Sequence, residues 1–221
     1  MIEAEGITFT YKKTNEVQAV RDVSLRIESG SFVSVVGRSG SGKSTLLHCL
    51  SGLLTPDSGS VRYDGTDIYA MKDRELSEFR NANIGFVFQN FYLEPNFNLL
   101  ENVMLPLLVR RMSVRQAKAR AMETLKKFGI DDRAYHFPAE MSGGECQRAA
   151  IARAIVGDPA YIFADEPTGN LDRQNGRLIV ETLHELKDSY GKTVIMVTHN
   201  EADTEGSDAV YVTEDGKISV R

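Results

Sequence analysis

The sequence is poor in cysteine, in long apolar runs and in excess positive charge, and each shortage excludes a class of protein. Its two cysteines, Cys49 and Cys146, lack the spacing of a metal site, and so few thiols predict a reducing compartment rather than a disulfide framework. No window approaches 18 consecutive apolar residues, so we expect no segment to span a bilayer. The formal net charge of −5 argues against a nucleic-acid-binding protein, which usually presents a basic face.

The N-terminal segment Met1–Glu5 carries acidic residues and no apolar core, so we do not expect it to be a signal peptide. The sequence also shows no internal repeat and no low-complexity segment. Its 221 residues suffice for one domain with a sizeable core and a subdomain set into it. If the protein works at a membrane, another chain must take it there.

Strand patterns mark both ends of the chain. Residues 1–30 alternate apolar and polar, which is typical of antiparallel strands with one solvated face. Phe32–Val36, Ile84–Phe88, Tyr161–Ala164 and Thr193–Val197 are nearly all apolar, as strands covered on both faces are. Polar residues follow the last two runs directly. Strand, polar tip and helix in this order predict an α/β domain whose chemistry lies at the carboxyl ends of a parallel sheet.

The middle of the chain, from about residue 91 to residue 156, has a helical pattern instead. Ala117, Ala121, Leu125 and Phe128 recur at steps of three or four residues and give one apolar face. We therefore expect a single domain in which residues 1–90 and 157–221 form the core and residues 91–156 form an inserted helical subdomain.

A glycine-rich loop follows the first buried strand and fits the pattern G-x-x-x-x-G-K-[ST]. Its residues are Gly37, Arg38, Ser39, Gly40, Ser41, Gly42, Lys43 and Ser44. The glycines are expected to adopt positive φ and to bring backbone N–H groups close to phosphate oxygens. A helix opening at Ser44 points its positive end at the phosphates, Lys43 reaches the β and γ oxygens, and Ser44 offers a hydroxyl to Mg²⁺. A turn with an incidental lysine is the alternative, but the strand before and the helix after favour a phosphate site.

Two acids, Asp165 and Glu166, end the third buried strand. Asp165 stands where P-loop ATPases hold magnesium, and Glu166 is placed to orient or deprotonate an attacking water. Alone, such a pair is equally compatible with solvated acids at a strand end. The phosphate loop elsewhere in the chain favours the catalytic interpretation.

Three further polar or aromatic residues are candidates with ordinary structural alternatives. His199 ends the last buried strand and is suited to sensing a γ-phosphate, although a lone histidine is more often structural. Gln89, at the tip of Ile84–Phe88, is able to contact metal or water. Tyr11 is suited to stacking on adenine, but an ordinary strand tyrosine is equally compatible with its position.

A second candidate anion site is the segment Ser142, Gly143, Gly144 and Glu145, which precedes a helix-like run from Glu145 to Val156. A helix start of this kind leaves free N–H groups and a positive dipole end. One nucleotide does not easily need two such sites from one chain. Two chains arranged head to tail could each offer the second site to the other's nucleotide, whereas a plain Gly-Gly loop before a helix is the structural alternative.

In this combination and order the motifs resemble those of the ATPase subunits of ABC transporters over nearly the whole chain. The signature motif is Met141–Glu145, Tyr161–Asp165 followed by Glu166 is the Walker B strand, and Asn170–Asp172 is the D-loop. Asp165–Asp172 and Gly85–Gln89 further resemble the macrolide-exporter and lipoprotein-release branch. Met141 and Glu145 replace the commoner Leu and Gln of the signature. No catalytic group is lost by these replacements, so we expect an active ATPase.

The resemblance implies a P-loop NTPase core with a mixed sheet, an N-terminal antiparallel β-subdomain and the helical insertion. It implies hydrolysis of ATP with Mg²⁺ by a homodimer, coupled to an integral-membrane permease on the cytoplasmic face of the membrane, and no nucleic-acid partner. The implied catalytic residues are Glu166, His199 and Lys43. The implied magnesium ligands are Ser44, Gln89 and Asp165. The implied ATP-binding residues are Tyr11, Gly37, Arg38, Ser39, Gly40, Ser41, Gly42, Lys43, Ser44, Thr45, Gln89, Ser142, Gly143, Gly144 and Glu145.

The sequence leaves two alternative functions to consider and suggests two candidate surfaces for partners. An ABC ATPase that signals through a membrane protein without transport shares every residue above. A nucleic-acid or translation ATPase of the superfamily usually has two cassettes or large insertions, which this chain lacks. Phe91, Tyr92 and Leu93 are expected to line a permease groove after Gln89. A basic stretch, from Arg110 to Lys127, fits anionic headgroups, an acidic loop of a permease or a solvated helix face.

Overall fold

A computed structural model describes residues 1–12 and 16–221 of the chain as an α/β fold with two sheets. The strands are β1 (Ile2–Tyr11), β2 (Val17–Ile27), β3 (Phe32–Val36), β4 (Ser58–Tyr63), β5 (Thr66–Asp67), β6 (Ile84–Phe88), β7 (Tyr161–Asp165), β8 (Thr193–Thr198), β9 (Ala209–Glu214) and β10 (Lys217–Val220). The helices are α1 (Lys43–Leu50), α2 (Asp73–Asn83), α3 (Leu99–Val109), α4 (Val114–Lys127), α5 (Gly143–Ile155) and α6 (Arg173–Asp188).

The larger sheet is mixed, as predicted. Its strand order is β10-β9-β3-β8-β7-β6, and all neighbours are parallel except the β9–β10 hairpin. Strands β3 and β8 are buried along their full lengths, which explains their nearly continuous apolar sequences. Because the strands β3, β8, β7 and β6 are parallel neighbours, their carboxyl ends meet at one edge. That edge collects the polar residues singled out above.

The smaller sheet is antiparallel, with order β2-β1-β4-β5, and confirms the predicted N-terminal β-subdomain. Strand β4 begins at Ser58, which pairs with Thr8 across an irregular stretch of the ladder. Gly59 tolerates this irregularity, since it has a φ of 96° and a Cβ there would lie 2.5 Å from the Glu5 carbonyl oxygen. The two sheets enclose one apolar core around α1.

Helices α3, α4 and α5 follow β6 and precede β7, and they bury a separate apolar cluster. The predicted face of α4 is confirmed, since Ala117, Ala121 and Leu125 are fully buried in this cluster. Helix α6 covers the other face of the large sheet through Ile179, Leu183 and Leu186. The patterns above gave no prediction for α2, for α6 or for the strands β9 and β10.

Candidate nucleotide-binding site

The glycine-rich loop connects β3 to α1 at the carboxyl edge of the large sheet. Gly42 is the N-cap of α1 with a φ of 97°, and Gly40 has a φ of 80°. The prediction of positive φ is wrong for Gly37, which instead permits a close approach, since a Cβ there would lie 2.4 Å from the Thr213 carbonyl oxygen. A Cβ on Gly42 would lie 2.0 Å from the Ala19 carbonyl oxygen. The conformation of this loop is therefore restricted both by its own glycine φ angles and by the close backbone of β2 and β9.

Lys43 is folded over the loop that carries it. Its ammonium donates hydrogen bonds to the carbonyl oxygens of Gly37 at 2.8 Å and Arg38 at 2.9 Å. Only 4% of the side chain is exposed, and its Nζ lies 3.9 Å from Glu166 Oε1. Burial lowers the pKa of Lys43, and the charges of Glu166 and Asp165 oppose that change. The loop thus holds a desolvated cation next to two carboxylates.

Ser44 and Asp165, both expected to be magnesium ligands, contact each other. The Ser44 hydroxyl donates to Asp165 Oδ1 at 2.7 Å, which places two hard oxygen donors from α1 and the end of β7 side by side. The other carboxylate oxygen of Asp165 lies 3.4 Å from His48 Nε2. His48 stands one turn further along α1, with its ring centroid 5.6 Å from that of Phe86. Sequence reasoning missed His48, although the i, i+4 spacing from Ser44 is the signal that finds it.

Glu166 lies between the loop lysine and His199. Its Oε2 is 2.9 Å from His199 Nδ1, while Oε1 faces Lys43. The backbone of Glu166 has a φ of 44°, unusual for a residue with a side chain, and its N–H donates to the Val197 carbonyl oxygen at 2.9 Å. That conformation turns the chain sharply after β7 and keeps the carboxylate at the sheet edge, 16% exposed.

Tyr11, at the end of β1, contacts Thr45 in α1. The Tyr11 hydroxyl lies 3.2 Å from Thr45 Oγ1, and the ring packs edge-on against Phe9 with centroids 5.0 Å apart. Because 42% of Tyr11 is exposed, its other face is open to a flat ligand. Both residues therefore lie beside the glycine-rich loop, as the prediction requires.

Gln89 occupies the tip of β6, and its side chain lies against the backbone after β7. A Cβ on Gly169 would be 2.7 Å from Gln89 Nε2, so glycine makes room for the amide. The Gln89 carbonyl oxygen accepts a hydrogen bond from Asn170 Nδ2 at 3.1 Å. These contacts connect Gln89 to the predicted D-loop.

Ser142 is the N-cap of α5 and forms a capping box with Glu145. The Glu145 carboxylate accepts from the Ser142 N–H at 2.9 Å and from its hydroxyl at 2.7 Å, and it lies 3.3 Å from Arg133. The hydrogen bonds from Ser142 hold the pKa of Glu145 below its usual range. Within residues 1–12 and 16–221, no hydrogen bond or ion pair joins Ser142–Glu145 to the loop at Gly37–Ser44. The chain therefore presents two separate candidate phosphate sites.

The architecture and both motifs match a known family. The family model described as ABC transporter matches residues 20–169, more than half of the chain. This chain belongs to the ABC transporter ATPase family. It is 46% identical over 218 residues to the lipoprotein-releasing system ATP-binding protein LolD of Bacteroides thetaiotaomicron, covering 99% of both chains. It is 46% identical over 220 residues to LolD of Syntrophotalea carbinolica, covering 99% of this chain and 97% of the relative.

Solved structures agree with this assignment. A dimeric structure of the bacterial ABC transporter cassette MJ0796 superposes with a TM-score of 0.92 at 40% identity, covering 99% of this chain and 97% of that one. A post-hydrolysis dimer of the same cassette, bound to ADP and Pi, gives a TM-score of 0.91 at 39% identity. The chain is thus an ATP-binding and ATP-hydrolysing ABC transporter subunit of the lipoprotein-release-like branch, as the motifs predict.

The groove predicted after Gln89 is present in this ABC subunit, but two of its three predicted residues lie elsewhere. A cavity of about 410 Å³ is lined by Tyr92 together with Phe86, Phe88, Leu105, Pro106 and Val109. Leu93 instead packs into the helical cluster, and the Phe91 ring faces Gly143. Both Phe91 and Tyr92 have positive φ, and their carbonyl oxygens accept hydrogen bonds from Arg153 of α5. This clamp was not apparent in the sequence.

Several members of the basic stretch of this subunit already have partners. Arg110 donates to the Gly157 carbonyl oxygen at 2.7 Å and to Asn81 Oδ1 at 2.7 Å, so it joins the end of α3 to two other segments. Lys127 lies 3.2 Å from Glu123, and Lys118 stands over the Tyr135 ring.

Within residues 1–12 and 16–221, no helix is long and apolar enough to cross a bilayer.

Proposed function

We propose that this ABC subunit hydrolyses Mg·ATP at the carboxyl edge of its large sheet, in a head-to-tail dimer whose closure drives a separate permease. The convergence of Lys43, Ser44, Asp165, Glu166 and His199 carries the proposal. Glu166 lies 2.9 Å from His199 and 3.9 Å from Lys43, and the Ser44 hydroxyl donates to Asp165 at 2.7 Å. Such a cluster at strand ends matches the usual position of nucleotide sites in α/β sheets.

In this proposal the phosphates lie in the loop at Gly37–Ser44, above the positive end of α1. The Lys43 ammonium gives up its hydrogen bonds to the carbonyl oxygens of Gly37 and Arg38 and donates to the β- and γ-phosphates instead. Because Lys43 is already desolvated and held by the loop, little rearrangement is needed. Tyr11 stacks on the adenine, and Thr45 lies near the α-phosphate at the start of α1.

The donor set fits magnesium. Ser44 and Asp165 present two hard oxygen atoms at 2.7 Å from one another, and Gln89 supplies an amide oxygen at the adjoining strand tip. Mg²⁺ commonly takes one or two protein oxygens and completes its shell with phosphates and waters. When bound, the ion would neutralise charge that develops on the β- and γ-phosphate oxygens. His48 Nε2 lies 3.4 Å from the other carboxylate oxygen of Asp165.

Glu166 then accepts the proton of the attacking water, and His199 orients Glu166 and contacts the γ-phosphate. The contact from Nδ1 to Oε2 at 2.9 Å holds the carboxylate, and the other oxygen is held near Lys43. His199 is 54% exposed, so its second ring nitrogen is accessible to a ligand. General-base help of this kind typically contributes about 10²–10⁴-fold to a rate.

The second copy supplies Ser142–Glu145. The start of α5 offers the N–H group of Gly143 and the positive end of a 13-residue helix. The similar cassette MJ0796 is dimeric in its solved structures, which supports this arrangement. We therefore assign each ATP to the loop of one chain and the signature motif of the other.

A mixed-variant experiment tests this assignment. Lys43→Ala destroys the loop of one chain, and Ser142→Arg blocks the signature of another. If sites form between chains, mixing the two inactive variants restores hydrolysis at one site, which joins the intact loop of one variant to the intact signature of the other. If each chain builds its own site, the mixture stays inactive, and the proposed dimer is wrong. Lys43→Ala mixed with itself is the matched control.

For the permease we propose the groove lined by Tyr92, Leu105 and Val109 as the docking site, which places the subunit on the cytoplasmic side of the membrane. Residues 91–156 act as the inserted subdomain that presents this groove, and residues 1–90 with 157–221 act as the core. The LolD relatives, similar over the full chain, support lipoproteins as the transported class. Release of a labelled lipoprotein from proteoliposomes that contain the co-purified permease should require ATP and this chain.

A further inference from the structure

A carboxylate outside the predicted site connects the two strand ends that carry Glu166 and His199. Asp203 lies in a 3₁₀ turn (Glu201–Thr204) after β8. Its Oδ2 accepts hydrogen bonds from the hydroxyls of Thr168, at 2.7 Å, and Thr198, at 3.2 Å. Its Oδ1 accepts from Asn200 Nδ2 at 2.8 Å. Both carboxylate oxygens of Asp203 therefore accept hydrogen bonds, and each donor lies within two residues of Glu166 or His199.

The three partners of Asp203 lie next to or near Glu166 and His199 in the sequence. Thr198 directly precedes His199, and Asn200 directly follows it. Thr168 comes two residues after Glu166, in the turn that leads to the D-loop, where the Leu171 N–H donates to the Thr168 carbonyl oxygen at 3.0 Å. One carboxylate thus binds both sides of the histidine and the segment downstream of the glutamate.

The surrounding bonds make this arrangement specific. Thr198 is 1% exposed, and its hydroxyl also accepts from the Asn200 N–H at 3.0 Å, so its proton is directed to Asp203. The Asp203 N–H donates to the Asn200 carbonyl oxygen at 3.1 Å, which closes the turn around the carboxylate. An amide at position 203 offers one acceptor oxygen and cannot serve all three donors.

We infer that Asp203 is a positioning residue for hydrolysis, which holds the Glu166 and His199 segments in register and ties them to the D-loop. This inference rests on the proposed roles of Glu166 and His199. Movement of His199 toward a γ-phosphate would pull on Thr168 through Asp203, and the D-loop would move with it. Within residues 1–12 and 16–221, no hydrogen bond or ion pair joins Asp203 to Gly37–Ser44, the loop proposed to bind ATP.

The inference predicts a split between turnover and nucleotide affinity. Removing the hydroxyl with Thr168→Val, or the second acceptor with Asp203→Asn, should lower kcat roughly 10-fold or more, because small displacements of catalytic groups cost rate steeply. KM for ATP and ATP affinity of the monomer should stay unchanged. Thr168→Ser keeps the hydroxyl and should restore kcat. In the double variant the losses should not add, since both changes break one interaction.

Glu205→Gln is the matched control, because it removes one negative charge nearby from an exposed side chain. It should hydrolyse ATP at the unaltered rate. A normal kcat in Thr168→Val would overturn the positioning role. A loss of ATP affinity as large as the loss of kcat in this variant would overturn it too. Failure of Thr168→Ser to restore kcat would overturn it as well. Glu166→Gln assayed in parallel distinguishes failure of the proposed catalytic site from failure of the role of Asp203. Normal turnover in Glu166→Gln would contradict the proposed site. Slow turnover in Glu166→Gln together with normal turnover in Thr168→Val would contradict only the role of Asp203.

Discussion

His199 Nδ1 lies 2.9 Å from Glu166 Oε2, so the ends of two adjacent parallel strands are joined by their side chains. Neither residue forms this contact by local sequence, since 33 positions separate them. The pairing of β7 with β8 brings them together, and the positive φ of Glu166 aims the carboxylate. The geometry suits a base that is held by one neighbour and faces a phosphate-binding lysine with its other oxygen.

Glu166→Gln should slow ATP hydrolysis by about 10²-fold or more, because the amide cannot accept the proton of the attacking water. The substitution keeps the size of the side chain, so ATP binding should survive. Steady-state phosphate release and equilibrium binding of a fluorescent ATP analogue measure the two effects separately. Hydrolysis at the normal rate would remove Glu166 from the mechanism.

Ser142→Arg should prevent ATP-driven dimerisation while monomers still bind ATP. The exposed N-terminus of α5 would then carry a bulky cation where the partner's phosphate is proposed to lie, and the cap on the helix would be lost. Light scattering with and without ATP, in the slowly hydrolysing Glu166→Gln background, reports the mass directly. Persistent dimers would contradict a role for this segment between chains.

Sequence patterns predicted most of this site because strand ends are locally encoded. An apolar run followed by Asp165-Glu166, or by Thr198-His199, predicts both the strand and the polar residues at its carboxyl end. The glycine-rich loop was equally predictable from its sequence pattern. The need for glycine at position 37, however, comes from the nearby Thr213 carbonyl oxygen and not from a positive φ. Such a cause depends on a distant strand and has no local signature.

Residues that act through long-range contacts escaped prediction for the same reason. Asp203 and Thr168 are 35 positions apart, and Arg153 reaches the carbonyl oxygens of Phe91 and Tyr92 from another helix. Helix α2 went unpredicted because its sequence is mostly polar, and strand β10 because it has only four residues. Only the folded chain shows that the β9–β10 turn contacts the phosphate loop, through the bond from the Gly216 N–H to the Ser41 carbonyl oxygen at 3.2 Å.

Glu145→Gln should lower stability at neutral pH by an amount that disappears in acid. Hydrogen bonds from Ser142 and the charge of Arg133 lower the pKa of Glu145 in the folded chain. A lowered pKa stabilises the fold above the ordinary glutamate value of about 4.3, and that contribution is lost as the pH falls through the folded-state pKa. Urea unfolding of both proteins at neutral and acid pH measures the difference. Glu123→Gln, which removes only an exposed ion pair, should change stability little at either pH.

Gly42→Ala should destabilise the phosphate loop and abolish ATP binding. The residue has a φ of 97°, and its Cβ would lie 2.0 Å from the Ala19 carbonyl oxygen, so the loop or β2 must move. Gly65→Ala is the matched control, because it has a φ of 84° with nothing within 4 Å of the new Cβ. It should cost only the conformational strain, about 1–2 kcal/mol. Equal thermal stability and equal ATP binding of the two variants would show that the close approach at Gly42 is unimportant.

Tyr92→Asp should uncouple this subunit from its permease without stopping its own hydrolysis. Tyr92 is 63% exposed and packs edge-on against Phe88, with ring centroids 5.0 Å apart, at the mouth of the apolar groove. A charge there has to be desolvated when a permease segment docks, which opposes binding. The phosphate loop and the Glu166–His199 pair are left intact, so the isolated subunit should keep its basal rate.

The measurement compares hydrolysis by the isolated subunit and by the reconstituted transporter, together with release of the lipoprotein proposed as substrate. Tyr190→Asp is the control, because this tyrosine is 48% exposed and lines a different cavity, next to α4 and α6. It should leave transport and both rates unchanged. Simultaneous loss of basal hydrolysis and transport in Tyr92→Asp would show that Tyr92 supports the catalytic site, since a docking residue affects only the coupled reaction.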